Sequence, residues 1–270
     1  MTDYYTNPRL SNSKLSVLAR DPVEFKARFV DDPPTWEPPE NDSLVFGNLV
    51  HCLVLEPHLL DDRYVVAPKV DRRTKEGKET WAKFLERSEG KQVIDAESYD
   101  DAIACAQALN NHAEFNAIMG QSDKVIENPI EFEYCGVEMK AKLDIVIPSM
   151  RLIVDVKTTR DASYEKFRWS ALDYGYDRQA AIYTMAAATK YDGCSSCANG
   201  WRFMFATVQV PTAARRGLAP TVAMYELDNE AISSGNKKAI DLVFEYDKRK
   251  ANNDWQPWFS KGIVSLSVPS

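Results

Sequence analysis

The sequence predicts a mixed α/β fold in which a central sheet is flanked by helices. Helical periodicity prevails before residue 120, and three strand-like segments follow one another between residues 122 and 157. Helical and strand-like patterns then alternate, and a long helical pattern comes near the end of the sequence. This order of elements is typical of a sheet whose faces are covered by helices.

The N-terminal part of the chain, about residues 10–60, is predicted to be mainly helical. Residues 11–29 have helical spacing of apolar side chains, with Pro22 disturbing the middle, and SLVFGNLVHCLVLEP reads as a buried helix ending at Pro57. Between them, the four prolines of DDPPTWEPPEND (31–42) indicate a loop or arm. A short strand at YVVAP, a helix over 78–89 and one long helix or two over 96–119 complete this half.

The second half begins with three segments of strand composition. These are KVIENPIEFEY, VEMKAKLDIVI and LIVDVKTT, with turn signals at Cys135-Gly136 and at Pro148-Ser149. They are predicted to pair as consecutive antiparallel strands. Helices at about 161–172 and 176–190, strands near 201–210 and 220–227, and a last helix to about residue 250 with Asp228 as N-cap are expected to follow.

Length and composition fit one folded unit. The chain has 270 residues, of which 44% are hydrophobic and 27% are charged, and we expect a single domain over residues 1–270. The sequence has no run of about 18 apolar residues, so no membrane span is predicted. The first residues lack the pattern of a secretory signal. These features lead us to expect a cytoplasmic protein.

The charge distribution is uneven. A net charge of −7 and a pI near 5.2 argue against a general polyanion binder, but local patches decide such binding. The segment from Lys69 to Lys91 carries eight basic residues against five acidic ones. Within it, Arg72, Arg73 and Lys75 are the candidate DNA contacts, although a solvated arm would have the same composition.

The cysteines give a weak signal. Cys194 and Cys197 form one CxxC among five cysteines, and structural zinc requires four ligands. A redox or zinc role for this pair is therefore the least favoured interpretation, and its role stays open.

Two carboxylates and a lysine interrupt the apolar strands. In LIVDVKTT, Asp155 and Lys157 are two residues apart and so lie on one face of a strand. Asp144 lies eleven residues before Asp155 across a tight turn, so hairpin pairing brings the two carboxylates together. Their repulsion needs a compensating cation, which Lys157 and a divalent metal would supply. Hard oxygen ligands of this kind suit Mg²⁺ or Mn²⁺.

The ordered motifs resemble those of a nuclease superfamily. Asp144 followed by Asp155-Val156-Lys157 resembles the PD-(D/E)xK nuclease core, YDRQAAIY resembles the QxxxY motif of its RecB-like branch, and FGNLVHCLVLEP resembles the GxxxH helix of that branch. The basic DRRTKEGKE and the opening SKLSVLARDPVEF are similar to the RecE subgroup, the phage-encoded exodeoxyribonuclease VIII type. The resemblance runs over most of residues 10–190.

This resemblance implies a restriction-endonuclease-like core that degrades linear duplex DNA from its ends, 5′ to 3′, with Mg²⁺. It implies a phage or prophage origin, a homo-oligomeric ring of three or four subunits, and a RecT/Redβ-like single-strand annealing protein as partner in recombination. The implied metal ligands are His51, Asp144, Asp155 and the Val156 carbonyl. Lys157 would position and help deprotonate the attacking water or offset charge at the phosphate, while Gln179 and Tyr183 would orient Lys157 or contact the strand being cut. A further glutamate is expected, for which Glu127 fits best and Glu131 and Glu114 are rivals.

Other interpretations stay open at this point. Taken singly, the Asp155–Lys157 pair could be an ordinary ion pair and His51 a hydrogen-bonded core residue. Gln179 and Tyr183 could be surface and core positions. Four aromatic residues near polar segments could stack on bases at a frayed end or be core residues: Trp36, Tyr64, Trp81 and Trp169. The alternative functions are an endonuclease or repair nuclease of other polarity and a non-catalytic DNA-end-binding module.

Overall fold

The structure is a computed structural model that describes residues 4–194, 198, 200–212, 215 and 217–259. Cys197, half of the predicted CxxC, lies outside the described residues. The helices have the following bounds: α1 Asn12–Arg20, α2 Pro22–Phe29, α3 Asp42–Leu55, α4 Leu60–Arg63, α5 Lys75–Arg87, α6 Ala96–Asn111, α7 Ala113–Met119, α8 Tyr164–Asp173, α9 Tyr176–Ala187 and α10 Asn229–Asn252.

The main sheet has five strands in the order β3-β4-β5-β6-β7. Its strands are β3 Val125–Tyr134, β4 Val137–Ile147, β5 Leu152–Thr159, β6 Arg202–Gln209 and β7 Val222–Glu226. Only the β5–β6 pair is parallel, and the other pairs are antiparallel. A separate two-stranded parallel sheet joins β1 Tyr64–Val66 to β2 Gln92–Ile94. The predicted mixed α/β sheet flanked by helices and its antiparallel meander are confirmed.

Local chemistry explains where the helices begin and end. Residues 11–29 form two helices because the side chain of Asp21 accepts hydrogen bonds from the amides of Val23 and Glu24, and Pro22 takes the first helical position. Of the two possibilities predicted for 96–119, one long helix or two, the structure has two helices, which meet at His112. The last helix begins after Asp228 as predicted, since its side chain accepts from the amide of Ala231. Strand β2 has three residues and had no sequence signal.

The sheet separates two apolar cores. One core lies toward α1, α2, α9 and α10 and contains Met139 and Leu143 of β4, and the other lies toward α3 and α6 and contains Ile145 and Ile147. In a regular strand, alternate residues lie on the same face of the sheet. Leu143 and Ile145 of β4 lie in different cores, on opposite faces, so the regular alternation of β4 is interrupted between them. Asp144 lies at this position, next to Ile145, where the pairing of β4 with β5 ends.

The N-terminal segment, residues 4–10, runs along β4. Leu10 forms a parallel bridge with Met139, and the buried ammonium of Lys140 donates to the carbonyls of Tyr4 (2.6 Å) and Asn7 (2.7 Å). These bonds hold the segment over the end of the sheet that carries the carboxylates.

In the part of the chain that the structure describes, no single helix is long and apolar enough to cross a membrane. The neighbouring helical segments Asp42–Leu55 and Pro57–Arg63 would be long and apolar enough only if they were counted as one, but the chain bends by 119° between them.

Candidate active site

The hairpin between β4 and β5 brings the two predicted aspartates together. Ile145 pairs with Val154 in this ladder, and continuing the same register places Asp144 opposite Asp155. The Oδ2 atom of Asp144 accepts a hydrogen bond from the backbone amide of Val156 at 2.8 Å. Both carboxyl side chains are withdrawn from solvent, as the spacing in the sequence predicted.

Asp155 and Lys157 form a buried ion pair on the face of β5 that meets α9. Lys157 Nζ lies 2.7 Å from Asp155 Oδ2, and Gln179 Nε2 donates to Asp155 Oδ1 at 2.6 Å. Burial alone would lower the pKa of Lys157, but Asp155 and the neighbouring Tyr176 and Asp144 hold this pKa above its ordinary range. The lysine is therefore a cation at neutral pH.

Helix α3 delivers His51 to the same place. A Cβ atom on Gly47 would lie 3.3 Å from Thr158 Oγ1, so glycine allows α3 to approach β5 closely. One turn later, His51 Nε2 lies 2.7 Å from the Val156 carbonyl oxygen, and Nδ1 lies 3.5 Å from Asp144 Oδ2. A carbonyl can only accept, so Nε2 donates a proton to it, and Nδ1 is the ring nitrogen that faces the carboxylate of Asp144.

Three side chains of the site have the arrangement of a metal centre. One ligand atom from each of His51, Glu127 and Asp144 lies within 4.8 Å of the others. The β3–β4 register, with Ile126 opposite Ile145, places Glu127 opposite Asp144. Glu127 has a positive φ of 49°, an uncommon conformation for a residue with a side chain. An imidazole with an oriented proton and two carboxylates fit a divalent cation such as Mg²⁺ or Mn²⁺.

Charge around the three side chains favours a cation. Burial raises the pKa of Asp144 to about 7, against the influence of His51 and with a contribution from Asp155. Glu127 forms an ion pair with Lys142, and hydrogen bonding to this glutamate raises the pKa of Lys142 despite its burial. A divalent cation would offset the effect of burial, and of the nearby Asp155, that makes Asp144 difficult to ionise.

Helix α9 contributes the predicted QxxxY pair from one face. Gln179 is buried against Asp155, and Tyr183 lines a cavity of about 530 Å³ together with His51, Glu127 and Asp144. Burial and the nearby Asp155 hold the pKa of Tyr183 well above its ordinary value. Tyr183 is thus a neutral phenol, able to donate its proton in a hydrogen bond.

The structure distinguishes among the predicted ligands. Glu131 is bound by Arg9 and Asn7, and Glu114 lies beside His112, so Glu127 alone of the three candidate glutamates is near Asp144. Both oxygens of Asp155 are engaged by Lys157 and Gln179, and the Val156 carbonyl accepts from His51. A direct metal contact by Asp155 or Val156 stays a prediction.

The basic residues lie apart from these side chains in the sequence and are exposed. Arg72 lies over the ring of Trp81 at 4.7 Å, and Arg73 and Lys75 lie at the start of α5. Contact of these three residues with DNA stays a prediction. Among the aromatic candidates, Trp36 and Trp169 are exposed, whereas Tyr64 and Trp81 are half-buried.

Four further residues at the site were missed from the sequence. Lys142 precedes Asp144 by two positions and could have been found from strand periodicity, and Tyr176 precedes Gln179 by three, which is helical spacing. Tyr4 and Tyr5 line the same cavity as Glu127. The tyrosines of the N-terminal segment gave no sequence signal because only the three-dimensional fold places them there.

Comparison with known proteins agrees with the fold, a mixed α/β sheet flanked by helices. In the structure, the carboxylates and the lysine lie on adjacent strands of this sheet. The chain belongs to the family described as PDDEXK-like domain of unknown function (DUF3799), whose model matches residues 13–256. None of the curated proteins matches the chain.

Several solved structures match the chain, and two of them are named as exonucleases. A presumed exonuclease from Eubacterium rectale has a TM-score of 0.63 at 14% identity, over 100% of this chain and 96% of the other. A phage-related exonuclease from Haemophilus somnus has a TM-score of 0.31 at 20% identity, over 69% of this chain and 90% of the other. The first supports the fold, and the second carries no weight at that TM-score.

Proposed function

We propose that this protein is a metal-dependent deoxyribonuclease that hydrolyses linear duplex DNA from its ends. The observation that carries the proposal is the ion pair of Asp155 and Lys157 next to the His51, Glu127 and Asp144 side chains. The PDDEXK-like family and the exonuclease name of the similar structure from Eubacterium rectale support it. A non-catalytic module would have no need to keep mutually repelling carboxylates buried together.

In this proposal the metal, Mg²⁺ or Mn²⁺, is held by His51, Glu127 and Asp144, with Asp155 adjacent. When bound, it would polarise the scissile phosphate and lower the pKa of water. The hydrogen bond from Gln179 and the ion pair with Lys157 hold the carboxylate of Asp155 in place. The raised pKa of Lys157 favours a role as a cation that offsets charge at the phosphate.

The direction and the setting of the reaction belong to the same proposal. We infer 5′-to-3′ polarity, a ring of three or four subunits and cooperation with a single-strand annealing protein in phage-type recombination from the motif resemblance alone. An acidic exterior with local basic residues is compatible with DNA threading through such a ring.

The test is digestion of end-labelled linear duplex DNA with Mg²⁺, Mn²⁺ or EDTA, with closed circular DNA in parallel. The wild-type protein should shorten linear DNA only with metal, and Asp155→Ala should reduce the rate by at least about 100-fold. Asp241→Ala, which removes an exposed carboxylate on α10, is the matched control. Native-rate cutting by Asp155→Ala would refute the site, and cutting of closed circles would favour an endonuclease.

A further inference from the structure

A second cavity begins where β5 leaves the candidate active site. It has a volume of about 830 Å³, and its lining includes Thr158, Trp169, Tyr174 and Tyr176; we call it the β5–α8 groove. It shares no lining residue with the cavity that contains Glu127 and Asp144. Because Thr158 directly follows Lys157, the groove starts one residue beyond the candidate catalytic lysine.

A continuous run of aromatic rings leads from Lys157 into the groove. The ammonium of Lys157 lies 4.8 Å from the ring centroid of Tyr176, and Tyr176 stacks on Tyr174 with centroids 5.7 Å apart and an angle of 27°. Tyr174 is 66% exposed and Trp169 is 55% exposed. Single exposed rings are ordinary, but Trp169 and Tyr174 line one groove, and Tyr176 connects this groove to the lysine.

Packing of α8 does not account for the exposed rings. The helix is anchored by Phe167, which is buried and stacks on Tyr225 with centroids 5.2 Å apart. Trp169 comes two residues after Phe167, which in a helix is roughly the opposite side, and the guanidinium of Arg168 lies 5.4 Å from its ring. The fold therefore has its apolar anchor in Phe167, and Trp169 is left available for another contact.

The charges of the groove indicate which part of a nucleic acid it could accept. Four carboxylates and two cations line it: Asp42, Asp101, Asp161, Asp173, Arg160 and Lys166. A phosphate backbone would be repelled by this excess of negative charge. Neutral bases would not be repelled, and their flat faces match aromatic side chains.

We propose that the β5–α8 groove binds the unpaired bases next to the scissile phosphate, with Trp169 and Tyr174 as the stacking residues. The backbone of the strand lies at Lys157 and the metal ligands, and its bases turn into the groove. The inference rests on the proposed nuclease function and adds that the bound strand is single-stranded beside the cut. Stacking is tolerant of sequence, so the groove holds any base.

The test measures binding of a fluorescently labelled oligodeoxythymidine to the full chain in EDTA, where hydrolysis is absent. Trp169→Ala and Tyr174→Ala should each weaken binding by about 5- to 100-fold, the usual effect of losing one stacked base. Trp169→Phe should keep most of the affinity. Phe244→Ala, which removes an exposed ring on α10, is the matched control and should bind as the wild type does.

A second oligonucleotide with abasic positions isolates stacking from other contacts. The wild type should bind it as weakly as Trp169→Ala binds oligodeoxythymidine, and Trp169→Ala should cause no further loss. Thermal melting checks that each variant is folded. Equal affinity of wild type and Trp169→Ala for oligodeoxythymidine, or an equal loss with the abasic probe, would overturn the proposal.

The outcomes separate this inference from the proposed function. If the wild type degrades linear DNA but Trp169→Ala binds oligodeoxythymidine normally, the groove is not a base-binding site and the nuclease proposal stands. If binding depends on Trp169 but no divalent metal supports hydrolysis, the groove is a base-binding site, whereas the nuclease proposal fails and with it the placement of these bases beside a cut. A wild-type protein that binds no oligodeoxythymidine in EDTA contradicts the groove proposal.

Discussion

Lys140 and Lys157 lie on adjacent strands of one sheet, and both are withdrawn from water, yet their ammonium groups are held differently. Lys140 is 4% exposed and donates to the backbone carbonyls of Tyr4 and Asn7. The Lys157 side chain is 20% exposed and pairs with the carboxylate of Asp155. Both carbonyls belong to the N-terminal segment, so Lys140 fastens this segment to β4. The carboxylate belongs to the candidate site, so Lys157 sets its charge.

The comparison teaches that burial of a lysine does not identify a catalytic role. Each ammonium must find partners because an isolated buried charge is too costly, and the partner then decides what the lysine does. Lys157 also lies over Tyr176 at 4.8 Å, at the start of the β5–α8 groove. Lys140 lies over Tyr4 at 4.6 Å, within the segment that it anchors.

The largest expected effect follows from removing Lys157. Lys157→Ala should reduce the rate of duplex DNA hydrolysis by about 100- to 1000-fold, because the charge proposed to face the phosphate would be lost. The rate is measured with end-labelled linear DNA at saturating Mg²⁺, with Lys140→Met as the comparison. A rate for Lys157→Ala as high as that of Lys140→Met would show that the two lysines do not differ in role.

An intermediate effect is expected for Lys140, on stability. Lys140→Met keeps the apolar stem but loses two hydrogen bonds from a charged donor, so the free energy of unfolding should fall by about 2–4 kcal/mol. Urea unfolding measures this change, and proteolysis of the N-terminal segment should become faster. Lys248→Met, on the exposed surface of α10, should change neither. An unaltered unfolding midpoint for Lys140→Met would contradict the role assigned to Lys140.

Much of the site was predictable because its contacts follow short-range periodicity. The two-residue spacing placed Asp155 and Lys157 on one face, the tight turn placed Asp144 beside them, and helical spacing placed Gln179 and Tyr183 together. Each of these inferences uses one strand, one hairpin or one helix. The predicted sheet was likewise correct in its meander, whose strands are adjacent in sequence.

The remaining features depend on contacts between distant segments. Three glutamates were candidates for the site, and the register of β3 with β4 was needed to favour Glu127. The interrupted alternation of β4 at Asp144 depends on two cores that meet across the sheet. The exposure of Trp169 could not be predicted because its helix position is compatible with either core or surface, and Phe167 takes the core position.

The smallest expected effect is a gain in stability, opposite in sign to the loss expected for Lys140→Met. It comes from removing the buried carboxylate of Asp144. Lys140 stabilises the fold, whereas the carboxylate of Asp144, whose pKa rises from 3.8 to about 7, destabilises it when ionised. The folded protein binds this proton more tightly than the unfolded chain, so stability falls as pH rises from about 4 to about 7. In EDTA at pH 8, Asp144→Asn should therefore raise the free energy of unfolding, by about 1–2 kcal/mol.

The pH and the metal separate this explanation from a simple packing effect. At pH 4 the carboxyl of Asp144 is protonated in the folded protein, so Asp144→Asn and wild type should melt at nearly the same temperature in EDTA. Saturating Mg²⁺ at pH 8 should stabilise the wild type and leave the variant unchanged, because binding to the folded state alone shifts unfolding. An equal advantage for Asp144→Asn at both pH values would mean that the gain does not come from the buried charge. The difference in stability between the Asp144 and Lys140 variants would then be explained by packing. A gain confined to high pH would instead show that the fold is less stable because it keeps an ionised carboxylate in a position where it can bind a cation.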